Sequence, residues 1–269
     1  MAEKAVWWLQ VMTRPDGLPP LFNDAAYGIT PTFKKILSLS NAIGLREPVE
    51  IKHSMTDLTE SGYFRYEAES YSFFGDAGQI GPDYIPGHAH CDMLNFELCI
   101  QGHPVIVDTG VSTYEVCERR HIERSTASHN TVQIANDEQS EIWGAFRVAR
   151  RARITQRTVT NDSVTAAYIG YKKSKIEHVR KFSFDPKCIL IEDTINQPDS
   201  ATARLHFHPD ILVKIKDGYI EAGPIKIEFS IDAAVSLKKY NYAPEFNKLI
   251  SADLLEITFS EQLTTKVIL

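Results

Sequence analysis

Residues 87–100 read GHAHCDMLNFELCI and join a polar, histidine-rich run to an alternating apolar one. The even positions from Leu94 onward are apolar, whereas the odd positions are mixed, and this period of two predicts a β-strand with one buried face. Projected back along the strand, the same face carries His88, His90 and Asp92. Because polar side chains are costly to bury without partners, we expect these three to have a function at the mouth of the core.

Short strand patterns dominate the sequence from Gly62 onward. They are rich in β-branched and aromatic residues and are separated by turn residues. The clearest lie at 103–108, 131–134, 163–168, 188–192 and 225–229. Asp217-Gly218 predicts a tight turn between strands at 211–216 and 219–221. Many strands with little helix between them indicate a mainly β protein, an antiparallel β-sandwich rather than a βαβ fold.

The beginning of the chain carries helical signals instead. Residues 3–13 form an apolar segment of helical length. Thr30 and Pro31 predict the start of a second short helix, with the threonine as N-cap and the proline in the first turn. We therefore divide the chain into a helical segment (1–60) and a β-sandwich domain (61–269), with the helices packed against one end of the sandwich.

Composition and charge exclude several classes of partner. The chain of 269 residues has a formal net charge of −6, which argues against a general affinity for nucleic acid or for an anionic membrane. No apolar run approaches the length of a membrane span, and the first residues lack the apolar core of a signal peptide. The four cysteines form no C-x-x-C pair, which argues against a zinc ribbon. Assembly into a homo-oligomer stays open.

Three clusters have the residue types that chemistry needs. His88 and His90, two positions apart on a strand, can both bind one metal ion such as zinc. Asp108 follows an apolar strand and is either a metal ligand or a turn-capping aspartate. Three arginines within residues 119–124 suit a carboxylate or sulfate ligand, because guanidinium groups donate two parallel hydrogen bonds; alternatively, they form ion pairs in a solvated loop.

Together these clusters resemble the heparinase II/III-like family of polysaccharide lyases. The matching residues are those at 87–98, 107–110, 113–114, 124–132, 139–140 and 143–146. Weaker similarity reaches Asn23-Asp24 upstream, and 205–209 and 242–246 downstream. An ordered set of short matches is far more specific than any one motif, and this set covers most of the chain.

The resemblance implies a fold and an activity. Members of the family have an α/α-toroid followed by an antiparallel β-sandwich, and they cleave uronic-acid polysaccharides by β-elimination. Neutralising the carboxylate beside the reacting carbon and placing a base near that carbon lower the barrier. The resemblance assigns His88 as the catalytic histidine of the sandwich. It assigns Tyr114, Arg120 and Arg124 to contact with an acidic polysaccharide or to support of that contact.

The resemblance also implies a metal site. His90, Asp108 and His129 match the ligands of a structural metal ion, usually zinc, in some members of the family. Two imidazoles and one carboxylate suit zinc in both softness and geometry. We therefore expect Zn²⁺ as a structural cofactor.

The chain departs from the family in what precedes the sandwich. The segment at 1–60 is too short for a toroid of many helices, and the tyrosine that the toroid supplies has no counterpart that we can identify. We expect the C-terminal part of a lyase, without its α/α-toroid domain and incomplete for catalysis by itself. The resemblance implies that the full-length protein is periplasmic or secreted, and a cytoplasmic location stays open because this sequence shows no signal peptide.

Two other classes of protein stay open. A non-catalytic sandwich that binds anionic carbohydrate would use the same arginines and aromatic residues without cleaving the glycan. A cupin-type oxygenase normally has a glutamate shortly after its H-x-H motif. Here Glu97 follows His90 at too long an interval, so the spacing argues against this class.

Overall fold

The computed structural model describes residues 1–45, 48, 51–172, 176–197, 199–230 and 232–269. The helices are α1 (Ala2–Val11), α2 (Phe33–Ala42) and α3 (Glu118–Arg124), and a single 3-10 turn covers Thr126–Ser128. The strands are β1 (Met55–Leu58), β2 (Tyr63–Glu67), β3 (Tyr71–Asp76), β4 (Phe96–Ile100), β5 (His103–Ile106), β6 (Val132–Ile134), β7 (Ile142–Trp143), β8 (Arg147–Val148), β9 (Arg153–Val159), β10 (Ser163–Ile169), β11 (Glu177–Asp185), β12 (Cys188–Ile195), β13 (Ala201–His206), β14 (Val213–Lys216), β15 (Tyr219–Ala222), β16 (Ile225–Phe229), β17 (Ala234–Tyr242), β18 (Ile250–Phe259) and β19 (Gln262–Ile268).

Three antiparallel sheets contain most of these strands. Their strand orders are β1-β2-β3-β4-β5, β17-β18-β13-β6 and β14-β15-β16-β19-β12-β11-β10-β9, and β7 pairs separately with β8. Aromatic side chains join the five-stranded and eight-stranded sheets: the rings of Phe73 and Phe96 lie 5.2 and 5.8 Å from that of Phe182. The predicted antiparallel β-sandwich is confirmed. In the described ranges, no helix is both long enough and apolar enough to cross a membrane.

The hairpin of β14 and β15 forms where the local sequence predicts it. The two strands pair with Lys216 opposite Tyr219, which leaves Asp217 and Gly218 as the turn. Gly218 has a φ of 79°, a conformation that residues with a side chain adopt only with strain. The prediction of a tight turn at this position is therefore confirmed.

Helix α1 and the residues after it lie against the five-stranded sheet. The Trp8 indole N–H donates to the Ser61 hydroxyl at 3.0 Å. A buried ion pair between Arg14 Nη1 and Glu97 Oε2, at 3.0 Å, ties the chain after α1 to strand β4. Both helices lie where the sequence carries helical signals, although α2 begins at Phe33, later than predicted.

The strand predicted to run back to the histidines is shorter than expected. Strand β4 begins only at Phe96, because the chain turns immediately before it. The Asn95 N–H donates to the Asp92 carbonyl at 3.1 Å, and Leu94 has a φ of 63°. The prediction that His88 and its neighbours continue the buried strand face is wrong, since a left-handed residue ends the alternation and places them on a loop.

A buried ion pair of the eight-stranded sheet contacts the backbone of this loop. Arg180 of β11 donates to Asp193 of β12 through Nε at 2.7 Å and Nη2 at 3.0 Å, and His178 Nε2 lies 2.7 Å from the same carboxylate. Arg180 Nη1 also donates to the carbonyl oxygens of Leu94 at 2.8 Å and Asn130 at 2.7 Å. One guanidinium thereby crosses between sheets and holds the turn that carries the histidines.

Candidate functional site

The histidine loop at 87–95 meets the chain between α1 and α2 at two consecutive residues, Asn23 and Asp24. The Asn23 side-chain carbonyl accepts the His90 N–H at 3.1 Å. The Asn23 backbone N–H donates to Asp92 Oδ2 at 3.2 Å. These hydrogen bonds bring the segment before α2 into the site, next to the loop that carries the histidines.

Asp24 lies at the centre of the site and contacts both histidines. Its Oδ2 is 2.8 Å from His88 Nδ1, and its Oδ1 is 2.8 Å from His90 Nε2. Arg120 reaches it from α3, with Nη2 donating to Oδ2 at 2.8 Å and Nη1 to Oδ1. Burial raises the pKa of the Asp24 carboxyl, but the hydrogen bonds from His90 and Arg120 outweigh burial and hold the pKa well below its usual range.

A second buried pair joins Asp108 and His129. Asp108 Oδ2 accepts from His129 Nδ1 at 2.7 Å and from the Asn95 amide, and its Oδ1 accepts the Gly110 N–H at 3.0 Å. Gly110 has a φ of 74°, and a Cβ there would lie 2.3 Å from the Ala243 carbonyl oxygen, so this turn requires glycine. Burial raises the pKa of the Asp108 carboxyl, yet the charge of His129 outweighs burial and lowers it.

His90 and His129 each use one ring nitrogen to contact a carboxylate, and the other nitrogen has no partner among the described residues. His90 Nδ1 and His129 Nε2 are buried and have no hydrogen-bond partner among the described residues. The two ring centroids are 5.4 Å apart, which suits two imidazoles on one tetrahedral ion with bonds of about 2.0–2.1 Å. Burial lowers the pKa of His90 more than Asp24 raises it, which favours the neutral ring that binds metal. Burial also lowers the pKa of His129, but the charge of Asp108 outweighs burial and raises it, so a metal ion would have to displace a proton from His129 Nε2. These nitrogen donors fit a zinc ion.

Asp108, the carboxylate of the predicted ligand set, hydrogen-bonds to His129, and its binding to a metal ion stays a prediction. Asp108 contacts Nδ1 of His129, whereas the free nitrogen of that ring is Nε2. In this arrangement Asp108 orients His129, as outer carboxylates do at zinc sites. Within the part of the chain that the structure describes, no three His, Cys, Asp or Glu side chains are grouped to hold an ion.

The two arginines predicted to contact the substrate are buried in the protein. Arg120 is 0% exposed and, besides its bonds to the central carboxylate, donates to the Ala145 carbonyl at 3.0 Å. Arg124 is also 0% exposed and donates to the carbonyl oxygens of Ala89 at 3.1 Å and Gly144 at 3.3 Å. Both guanidinium groups therefore bind protein atoms and support the site from within, and their contact with a substrate stays a prediction.

His88 is the exposed member of the site. Its side chain is 65% exposed, although the Asp24 carboxylate beneath it is buried. The ring centroids of Tyr114 and Phe146 lie 6.0 and 5.6 Å from that of the imidazole, and Phe246 packs edge-on against Tyr114. The site therefore presents one accessible imidazole within an aromatic surface. Contact of Tyr114 with a substrate stays a prediction.

Sequence reasoning missed several residues that build the site. Asp24 was not identified as a functional residue, and the weak similarity at Asn23-Asp24 was the one signal that pointed to it. Asn95 and Asn130 were missed as well, although the Asn130 amide donates to two buried carbonyl groups and its oxygen accepts the His206 N–H at 2.7 Å. Such amide bridges have no periodic sequence pattern, so the sequence does not reveal them.

His206 makes the stability of the domain depend on pH. Burial lowers its pKa to about 3, whereas an unfolded histidine has a pKa of about 6.5. The unfolded state therefore binds the proton first, and the stability contributed by neutral His206 is lost as the pH falls from about 6.5 towards 3.

We expect His206→Gln to reduce the decline of the unfolding free energy over this pH range. In wild type, His206 contributes up to about 1.4 kcal/mol per pH unit to that decline. Urea unfolding at several pH values measures this, with the exposed His103→Gln as control. A His206→Gln slope equal to the wild-type slope would contradict the prediction.

Comparisons with known proteins relate this architecture to one protein family and to several solved structures. The family model described as Heparinase II/III-like, C-terminal, matches residues 50–267. The structure is similar to heparan sulfate lyase HepC from Pedobacter heparinus, with 17% identity and a TM-score of 0.74 over 99% of this chain and 46% of that chain. It is also similar to heparinase III, the BT4657 gene product, with 18% identity and a TM-score of 0.75 over 99% of this chain and 45% of that chain. A search of curated proteins finds no match.

The fold is the β-sandwich of those solved structures, with His88 and His90 on a loop at its edge. The chain belongs to the heparinase II/III-like family, and the matched part is the C-terminal domain of that family. The resemblance inferred from the motifs is thereby confirmed. At 17% and 18% identity the structural likeness shows the fold alone, and the chain spans about half the length of the solved relatives it matches.

Proposed function

We propose that this chain is the sandwich part of a polysaccharide lyase that cleaves uronic-acid glycans by β-elimination. Membership of the heparinase II/III-like family supports this class of reaction. The observation that carries the proposal is the accessible imidazole of His88, 65% exposed and 2.8 Å from the buried Asp24 carboxylate. An oriented, exposed imidazole is the usual side chain for moving a proton near neutral pH.

In β-elimination a base removes the proton from the carbon beside the uronate carboxyl group. The electron pair of that C–H bond becomes the new double bond, the bond to the glycosidic oxygen breaks, and the leaving oxygen takes up a proton. His88 can accept or hold the first proton, because its Nδ1 contacts Asp24 and its Nε2 has no hydrogen bond within the part of the chain that the structure describes. The rings of Tyr114 and Phe146 flank it and offer apolar surface to a sugar.

We propose that an α/α-toroid supplies the remaining groups. The relatives HepC and heparinase III are about twice as long as this chain, since it covers 46% and 45% of them. Neutralising the uronate carboxylate is one role left for such a domain. In the sandwich, the Arg120 and Arg124 guanidinium groups are buried and donate to protein oxygens, which favours a group from outside the sandwich for this role.

A direct assay for elimination tests the proposal. The gene product that combines the toroid with this chain, and the 269-residue chain alone, are incubated with heparan sulfate, heparin, chondroitin sulfate and alginate. The ultraviolet absorbance of unsaturated uronate is then followed. Unsaturated ends produced by the toroid-containing protein would support the proposal. Binding of a glycan without any unsaturated product would support the non-catalytic carbohydrate-binding alternative instead.

We also propose a structural zinc ion at His90 and His129, through the two nitrogens that lack partners, with Asp108 orienting His129. Zinc is expected to raise the melting temperature of the chain, because a ligand at a hundred times its Kd adds about 2.7 kcal/mol to the unfolding free energy. His90→Ala should abolish the shift, whereas His103→Ala, at an exposed histidine of β5, should retain it. Calorimetry with zinc and with a chelator measures both. The same shift in both variants, or none in wild type, would contradict the zinc site.

A further inference from the structure

We infer that Asp24 is the positioning residue of this site: it holds His88 with its Nδ1–H pointing inward, so that Nε2 is the basic nitrogen offered to a ligand. The functional meaning of this inference rests on the role proposed for His88. Asp24 lies between α1 and α2, outside the family-matched residues 50–267. The chain before the matched domain thus contributes to the site.

The carboxylate of Asp24 is fixed from the side opposite the histidines. Its side chain is 5% exposed, and Arg120 donates to both of its oxygens, with Nη2 at 2.8 Å from Oδ2. Arg120 is itself held by the Ala145 carbonyl at 3.0 Å, and its Cζ lies 5.0 and 5.3 Å from the ring centroids of Tyr114 and Phe146. This network leaves the carboxylate one orientation.

The orientation of the carboxylate determines which nitrogen of His88 carries the proton. An ionised carboxylate only accepts hydrogen bonds, so the 2.8 Å contact with Nδ1 requires a proton on that atom. In a neutral imidazole the lone pair then lies on Nε2, and the exposed side chain leaves that atom accessible. A proton taken up at Nε2 would create an imidazolium next to the negative charge of Asp24, the arrangement by which carboxylates support a basic histidine in hydrolases.

The same carboxylate sets the ring of His90 in the opposite tautomer. Its Oδ1 lies 2.8 Å from His90 Nε2, whereas Arg120 Nη1 lies 3.5 Å from the same nitrogen. The shorter contact, with an atom that only accepts, places the proton on Nε2 and leaves Nδ1, the nitrogen without a partner among the described residues, as the basic atom. Two histidines separated by one residue therefore carry their protons on different nitrogens. Free imidazole rings in solvent would have no reason to differ in this way, so the opposite pair of tautomers is a specific signature of Asp24.

The tautomers can be read from long-range ¹H–¹⁵N NMR spectra of the 269-residue chain labelled at histidine. The spectra are recorded without metal or substrate, at a pH well above the ordinary histidine pKa of about 6.5. Wild type should show the proton of His88 on Nδ1 and that of His90 on Nε2. In Asp24→Ala, the Nδ1–H form of His88 should fall from the dominant form to a minor one.

Asp16→Ala is the matched control. Its carboxylate also follows α1 and pairs with Arg14 at 2.7 Å, but it has no hydrogen bond to His88 or His90 among the described contacts. It should leave both tautomers unchanged. If Asp24→Ala fails to fold, Asp24→Asn serves in its place, since the amide has the same shape but a single acceptor atom and cannot accept from both rings as the carboxylate does.

Three results would overturn the inference. One is a wild-type His88 protonated on Nε2. A second is an unchanged His88 tautomer in folded Asp24→Ala, or unchanged tautomers of both histidines in Asp24→Asn. The third is an equal loss in Asp16→Ala. The experiment involves no catalysis, so its failure is separate from that of the proposed function. The expected tautomers in a protein that does not cleave glycans would contradict the lyase proposal alone.

Discussion

His88→Ala in the toroid-containing protein is expected to reduce lyase activity by about 10²–10⁴-fold, the usual contribution of a positioned acid or base. The unfolding free energy should change by no more than about 0.5 kcal/mol, as for other surface substitutions, because the side chain is 65% exposed. Asp24 keeps its bonds to Arg120 and His90 in this variant, so no buried charge loses all its partners. Initial rates of unsaturated uronate formation, measured beside the melting temperature, test both parts.

The control for this experiment is His103→Ala, which removes another exposed histidine and should leave the rate unchanged. A chemical role for His88 also predicts that kcat falls while KM changes little, because the imidazole acts in the transition state rather than in glycan binding. An active His88→Ala enzyme, or one that is inactive only because it unfolds, would show that the histidine is structural.

Arg180→Met is expected to lower the unfolding free energy by about 3–5 kcal/mol, the usual cost of removing one partner from a buried ion pair. The side chains of Arg180 and Asp193 are 2% and 1% exposed. Burial raises the pKa of Asp193, but the charge of Arg180 outweighs it and lowers the pKa to about 2, so the carboxylate is ionised at neutral pH. Methionine would leave this charge buried with only His178 beside it. Urea unfolding, followed by tryptophan fluorescence, measures the loss.

Two further variants separate the causes of that loss. Arg180→Met combined with Asp193→Leu leaves no unpaired charge and should recover part of the stability. The loss of unfolding free energy that persists in the double variant measures the hydrogen bonds from Arg180 to the Leu94 and Asn130 carbonyls. Arg150→Met removes an exposed ion pair, with an arginine side chain 65% exposed, and should change stability little. Equal losses in Arg180→Met and Arg150→Met would contradict the role given to the buried pair.

Much of the β-structure could be predicted because it depends on near neighbours in the chain. The apolar alternation at 163–168 corresponds to β10, and the turn at Asp217-Gly218 joins β14 to β15. In both cases the deciding interactions span a few residues: side-chain alternation in the strand and a left-handed glycine in the turn. The motif order between residues 87 and 146 likewise identified the family, which the family model confirms.

The site itself could be predicted only in part. The sequence indicated His88, His90, Asp108 and His129 as the residues of interest. In the structure both His88 and His90 contact Asp24, and Asp108 contacts His129. The sequence did not indicate that the side-chain alternation ends at Leu94. The left-handed turn at this residue is held by the guanidinium of Arg180, which lies on another sheet. Alternation of apolar and polar residues within one strand carries no information about a hydrogen bond from a residue 86 positions away.

The arginines show the same limit from the opposite direction. A basic run in an acidic chain is typical of an anion site, yet Arg120 is fully buried against Asp24. The sequence pattern did not identify Asp24 as the partner of Arg120, because the two residues are 96 positions apart in the chain. A cluster of charged residues in the sequence indicates a ligand-binding site only if their side chains are exposed to solvent.

The sequence by itself determined the antiparallel β-class, the positions of several strands and of one tight turn, and the family, since each depends on patterns within short stretches of the chain. Tertiary structure alone decided which carboxylate faces which histidine, and that Asp24 rather than a β-sandwich residue unites His88 with His90. The physical reason is that a buried charge takes whichever partner the fold brings within hydrogen-bond distance, and its desolvation cost makes that partner obligatory. Local periodicity does not record such long-range choices.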